Sequence, residues 1–365
     1  MRRYAVSLLL AVIGWCPIVR AQDSAAVQVG PLAISGYIEA YYSYDFDQPL
    51  SNNKAAFFYN YSRNNEVNVN LGFIKAAYAK DNIRANLALG AGTYINANYT
   101  KEPDALKNLY EANAGIKLSK KEDLWLDAGI FSSHIGFESA VGKDAWNLTR
   151  SILAENSPYY ESGAKLTYTS KNAQWLLSAL VLNGWQRITR QAGSTTPSFG
   201  TQVQWVGSEK VTLNSSTFIG SDTPDSVRRW RYFHDFFGIF QLSKLFGITA
   251  GFDGGLQQAA KGSSMLYGWY SPVLICRLSP LARNNFALRV EYYKDAHGII
   301  VPTGTTNGFA LFGWSFNYDY AIRSNALWRI EVRNFAGKDS YFMKHDNALA
   351  GTDTFITTSL AISFQ

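Results

Sequence analysis

The chain has 365 residues, of which 15% are aromatic and only 17% charged, with a formal net charge of +6. Ordinary soluble domains carry about 25% charged residues. If Arg2, Arg3 and Arg20 leave with a leader the charge falls to about +3, too little to argue for a nucleic-acid partner.

The N-terminus reads as an address. Met1-Arg2-Arg3 precedes a mostly apolar run from Tyr4 to Val19, and the small residue Ala21 follows. A basic start, a short apolar stretch and a small-residue exit describe a secretory signal peptide, expected over 1–21 with cleavage after Ala21. The run is short of the roughly 20 residues that a helical membrane span needs. Cys16 raises a lipid anchor, but Trp15 before it is too bulky for that signal. Beyond the leader only Cys276 remains, so no internal disulfide can form. Residues 22–33 read as a periplasmic lead-in.

From residue 34 onward a two-residue beat dominates. Phe286, Leu288, Val290 and Tyr292 alternate with Ala287, Arg289, Glu291 and Tyr293. Such a segment has one apolar and one polar face when extended. Sixteen strands are predicted: 34–46, 64–80, 83–97, 110–119, 124–132, 159–170, 174–185, 199–207, 211–220, 231–243, 246–256, 265–278, 285–295, 309–320, 326–335 and 354–364. Short turns such as Asp81-Asn82 and Lys244-Leu245 alternate with long polar loops at 47–63, 98–109, 133–158, 186–198, 221–230, 257–264, 296–308 and 336–353. Short on one side and long on the other is the pattern of an outer-membrane barrel, and an even strand count returns both termini to the periplasm. The longest apolar stretch inside this region, Trp175 to Leu182, is too short to cross a bilayer as a helix.

The faces agree. Ile83, Ala85, Leu87, Leu89 and Ala91 oppose Arg84, Asn86, Ala88, Gly90 and Gly92, and Trp328, Ile330 and Val332 oppose Arg329, Glu331 and Arg333. Placing the apolar set in lipid puts Arg84, Lys117, Lys165, Arg289, Arg329 and Arg333 in a lumen with Glu39, Glu66, Glu111, Asp127, Glu161, Glu291 and Glu331. Tyr42, Tyr44 and Phe46 gather near a strand end, as interfacial girdles do. Two features break the pattern. Lys75 shares the face of Phe73, which predicts a bulge, and Pro272 falls inside a strand.

No constellation points to catalysis, a cofactor or a metal. His134, His234, His297 and His345 are scattered without ligand spacing. His234 and Asp235 are neighbours on a strand and point to opposite faces. Ser132-Ser133-His134 is adjacent rather than arranged, and neither a nucleophile elbow nor a phosphate-binding glycine loop is present.

The segment from His134 to Gly163, HIGFESAVGKDAWNLTRSILAENSPYYESG, is too long for a simple connection. Through Ile135-Gly136-Phe137-Glu138, Trp146-Asn147, Thr149-Arg150-Ser151, Ser157-Pro158-Tyr159 and Gly163, the chain resembles the β-barrel porin-2 (OmpL-like) family. The resemblance implies an outer-membrane diffusion channel with no catalytic residues to carry over. By analogy with porins, the third external loop is expected to fold inward and narrow the lumen. The constriction candidates are Glu138, Lys143, Asp144 and Arg150 on the loop, facing Arg289, Glu291, Arg329, Glu331 and Arg333 on the wall. Opposed charges across a narrow pore set up a transverse field, and their composition sets ion preference.

The expectation is therefore an all-β, single-domain, 16-stranded antiparallel transmembrane barrel over 34–365. Its partners would be outer-membrane lipid and small hydrophilic solutes or ions, with a homo-oligomer compatible but no subunit interface identified. Three alternatives stay open: a non-conducting barrel whose external loops serve adhesion or structure, a barrel enzyme, and a soluble exported protein that binds carbohydrate.

Overall fold

In the computed structural model, which describes residues 27–364, sixteen antiparallel strands close into a barrel. They are β1 (Leu32–Asp45), β2 (Val67–Lys80), β3 (Ile83–Ala91), β4 (Leu109–Lys117), β5 (Asp123–Ser132), β6 (Tyr160–Thr169), β7 (Trp175–Leu182) and β8 (Ser198–Ser208). The second half is β9 (Val211–Gly220), β10 (Arg231–Gln241), β11 (Phe246–Gln258), β12 (Leu266–Leu281), β13 (Asn284–Asp295), β14 (Phe309–Arg323), β15 (Ala326–Gly337) and β16 (Thr352–Phe364). Each strand pairs with the next, and β16 pairs back onto β1, Leu360 opposite Ala40 and Ile362 opposite Ile38. Closure leaves no sheet edge, so every strand finds backbone partners without water. The expected signal segment 1–21 lies outside the described residues. The lead-in is described from Val27, where Val27–Val29 folds back on β1.

The alternation sorts the side chains by solvent. On β13, Leu288 and Val290 are 47% and 41% exposed, while the intervening Arg289 and Glu291 are 0% and 2% exposed. The same holds on β15, where Arg329, Glu331 and Arg333 are buried between Trp328, Ile330 and Val332. Apolar side chains therefore cover the outside and charged ones fill the inside, the arrangement expected of a barrel in lipid. His234 and Asp235 do point to opposite faces, outward and inward.

The structure moves three expectations. The third strand stops at Ala91 rather than 97: Gly92 takes φ +136°, where a side chain would collide with the Asn70 carbonyl. The helix α1 (Thr93–Asn98) follows and buries Tyr94 and Ile95. Lys75 marks no bulge, since it and Phe73 both point inward in register with β3. The register shift lies higher, between Glu39 and Ala40, whose partners Leu71 and Val69 leave Asn70 unpaired. Glu66 is not on the wall; it precedes β2 and pairs with Arg63 at 2.8 Å. Pro272 does sit inside β12, in register with Phe252 of β11, while the pairing to β13 lapses at Ser271 and Pro272. Proline has no N–H to donate, and the Ser271 hydroxyl instead donates to the Tyr292 carbonyl at 2.9 Å.

Candidate functional site

The third long loop, 133–159, runs along the inner wall rather than out into solvent. Its entry is pinned first. The His134 ring lies 2.7 Å from Glu161 through Nδ1 and 2.9 Å from the Thr217 carbonyl through Nε2, and the Ser216 hydroxyl donates to the His134 carbonyl. Phe137 then packs on Phe237 of β10, with ring centroids 5.5 Å apart.

The middle of the loop is held by the inward face of β13–β15. Thr149 donates its N–H and its hydroxyl to Glu331 Oε2. Arg289 donates to the Thr149 carbonyl at 2.7 Å and to Glu331 Oε1 at 3.0 Å. Arg333 donates to the Arg150 carbonyl and to Glu291 Oε1, both at 2.6 Å, and Glu291 accepts the Ile152 N–H at 2.6 Å. Arg329, fixed by two bonds to Asp319, donates to the carbonyls of Gly142 and Ala145. Buried charges of this kind persist only when paired and hydrogen-bonded. Here the partners are mainly loop backbone groups, which a strandless segment must satisfy somehow.

The loop also braces itself. Glu138 accepts the Ser151 N–H and hydroxyl, Ser151 caps the short helix α2 (Ile152–Glu155), and Arg150 donates to the carbonyls of Ser139 and Leu148. Neighbouring acidic side chains and tyrosines hold the Arg150 guanidinium above its usual range although burial works against its charge. At Gly142 the loop backbone meets β1, and a side chain there would collide with the Glu39 carboxylate. That carboxylate accepts from Tyr37, Tyr61 and Ser359.

The nine residues expected at a constriction thus fall into two groups. Glu138, Arg150, Arg289, Glu291, Arg329, Glu331 and Arg333 are brought together, buried and spent on bonds to one another and to loop backbone. Lys143 and Asp144 pair with each other at 2.8 Å and keep about a quarter of their side-chain surface accessible, at 26% and 24%. Of the other lumen charges, Lys75 and Glu111 pair at 2.7 Å, Arg84 pairs with Asp127, and Lys117 reaches Asp123 at the turn end of β4.

Sequence reasoning missed the role of the other loops. The first loop, 46–66, tucks Phe57 and Phe58 among Phe309, Phe335, Phe342 and Phe355. It meets α2 where Glu155 accepts the backbone N–H groups of Tyr59 and Asn60. Burial raises the Glu155 carboxyl to about 7 and lowers the Lys54 ammonium to about 7. The adjacent Phe57-Phe58 in a polar loop was the available signal; the backbone donors leave none. The second loop contributes Glu102, which accepts the N–H groups of Ile188 and Thr189 from the fourth loop. Among the described residues no group of His, Cys, Asp and Glu is arranged to hold a metal ion.

A closed 16-stranded barrel with an apolar outside, a charged inside and a long loop bonded to its inner wall defines the class of outer-membrane porins. Residues 31–364 match the family described as beta-barrel porin-2, OmpL-like, and the chain belongs to it. Its fold is similar to the anion-selective porin from Comamonas acidovorans, at 8% identity and TM-score 0.59, over 91% of this chain and 99% of that one. It is similar also to the outer membrane channel DcaP of Acinetobacter baumannii, at 8% identity and TM-score 0.57, over 91% and 97%. In-vitro folded OmpT of Vibrio cholerae, in a trimer form, matches at 9% identity and TM-score 0.55, over 91% and 99%. No curated protein is similar to the chain in sequence.

Proposed function

We propose that this outer-membrane porin is a passive diffusion channel for small hydrophilic solutes or ions, with a water-filled lumen narrowed by loop 133–159. The observation that carries the reading is the set of bonds from Arg289, Arg329, Arg333, Glu291 and Glu331 to the loop backbone. A loop held inside the wall by fixed bonds reduces the open cross-section without a moving part. In this reading the buried seven residues set where the loop lies, and Lys143 and Asp144 face the solute. Barrels of 16 to 18 strands are wide enough for an aqueous channel. The wall works by replacing part of a solute's hydration, without catalysis or cofactor. Residues 1–21 would direct export and be removed, and 22–33 would lie in the periplasm. The trimer form of the similar OmpT supports a homo-oligomer surrounded by outer-membrane lipid.

Single-channel currents of the refolded chain test the reading. Stepwise, ohmic conductance is expected, rising several-fold when part of 138–150 is deleted. A barrel that folds, migrates heat-modifiably in detergent gels and never conducts would remove the channel and leave an adhesive or structural role for the loops.

A further inference from the structure

The inner wall of β2–β5, away from the bonds that anchor loop 133–159, is built as a series of rungs. In three of them two side chains meet across an intervening strand that carries little or no side chain. Phe73 of β2 and Tyr110 of β4 stack at 5.0 Å and 12° across Gly90 of β3, where even a Cβ would stand 3.2 Å from Tyr110 Cβ. Tyr37 of β1 extends that rung, its ring 5.8 Å from Phe73. One step towards the short turns, Lys75 Nζ reaches Glu111 Oε2 at 2.7 Å over Ala88, which is in register with both. The next rung is the directly paired Asn86 and Asn113, whose amides bond at 3.0 Å. In the last, Arg84 makes two bonds to Asp127 across Gly115, where a side chain would collide with Asp127, and its guanidinium lies 4.2 Å from the Trp125 ring.

Three properties of this wall select a ligand. It begins and ends on aromatic rings, and of the first group Phe73 and Tyr110 remain partly exposed while Tyr37 is buried. Each of its charges is already matched by an opposite one, so the track is neutral. An ion could bind only by breaking a pair held at about 2.7 Å, whereas a hydroxyl, donor and acceptor at once, can join such a pair without breaking it. A ring with an apolar face and a hydroxylated edge meets all three. We propose that Phe73 and Tyr110, backed by the buried Tyr37, form a stacking subsite for neutral sugars, with Lys75–Glu111, Asn86–Asn113 and Arg84–Asp127 exchanging hydrogen bonds with the hydroxyls. The proposal rests on the channel reading for its purpose but not for its test.

Calorimetric titration of the full refolded barrel in detergent with maltotriose reads the subsite directly. A saturable binding heat is expected, absent with a polyethylene glycol of the same mass. Phe73→Ala and Tyr110→Ala should each weaken binding on the order of tenfold, as loss of one aromatic contact does, while Tyr110→Phe keeps it. Heat-modifiable migration certifies each variant; if Phe73→Ala fails to fold, Phe73→Leu replaces it with the same expected loss. No saturable heat, equal binding of the glycol, or unchanged binding by folded ring-deleted variants overturns the proposal. Conduction without sugar binding sinks the subsite and leaves the channel, and sugar binding without conduction does the reverse.

Discussion

The barrel wall carries inward charges on both sides, and the two sides use them differently. On β13–β15, Arg289, Glu291, Arg329, Glu331 and Arg333 are sealed beneath loop 133–159 and bonded to it. On β2–β5, Lys75, Arg84, Glu111 and Asp127 bond to one another rather than to the loop; Lys75, Glu111 and Asp127 are buried in their pairs, and the Arg84 side chain is the one that stays open, at 33%. The strand pattern is the same on both sides. What covers the charges decides whether they hold the fold or meet the solute, since a dry charge must be matched by fixed partners while a wet one is served by water.

The largest effect should come from the dry side. Arg289→Ala removes the donor to the Thr149 carbonyl and leaves Glu331 and Glu291 short of a cation. Breaking a buried pair costs about 3–5 kcal/mol. The variant should unfold at clearly lower temperature, and its single channels should become noisier as the loop leaves the wall. An unchanged melting profile with quiet channels would show that the loop is held by something else.

A smaller effect probes where the first and third loops meet. Burial raises the Glu155 carboxyl from 4.5 to about 7, so the docked state binds that proton more tightly than the open one. Its contribution to docking is therefore full below about pH 4.5 and is lost as pH rises through 7. Lys54, pushed down to about 7, acts only above that, towards its ordinary 10.5. Exchange protection of the Tyr59 and Asn60 amides, which donate to Glu155, should fall between pH 5 and pH 7. Glu155→Gln should lose that fall; a variant with the same slope would clear Glu155 of the effect.

Most of the barrel was legible because a period of two, repeated sixteen times, is a long-range signal made of local ones. Leu288 against Arg289 already states which face meets lipid. The exceptions were backbone events. The turn at Gly92 that starts α1, and the unpaired Asn70, depend on geometry that composition does not encode. Within the site, the residue types and the loop could be read, but not their division of labour. Arg329 and Arg84 look alike in sequence. Only the path of residues 142–150 buries the first, and only the bare Gly115 lets the second lie flat against Asp127.

The smallest expected change in stability tests the wet side. Arg84 is a third exposed, and Asp127 stands directly opposite Lys165 on β6, which can take over as its cation. Arg84→Ala should therefore cost less stability than Arg289→Ala, because its own side chain is a third exposed and the buried Asp127 keeps Lys165 opposite it, while removing a positive charge from the solute's path. The reversal potential across a potassium chloride gradient should shift towards cations, and Asp127→Asn should shift it towards anions. Arg333→Ala, by contrast, should destabilise the barrel far more than Arg84→Ala and move the reversal potential less, because its charge is spent on Glu291 and the loop. If Arg333→Ala moved selectivity and Arg84→Ala did not, the assignment of dry and wet sides would be reversed.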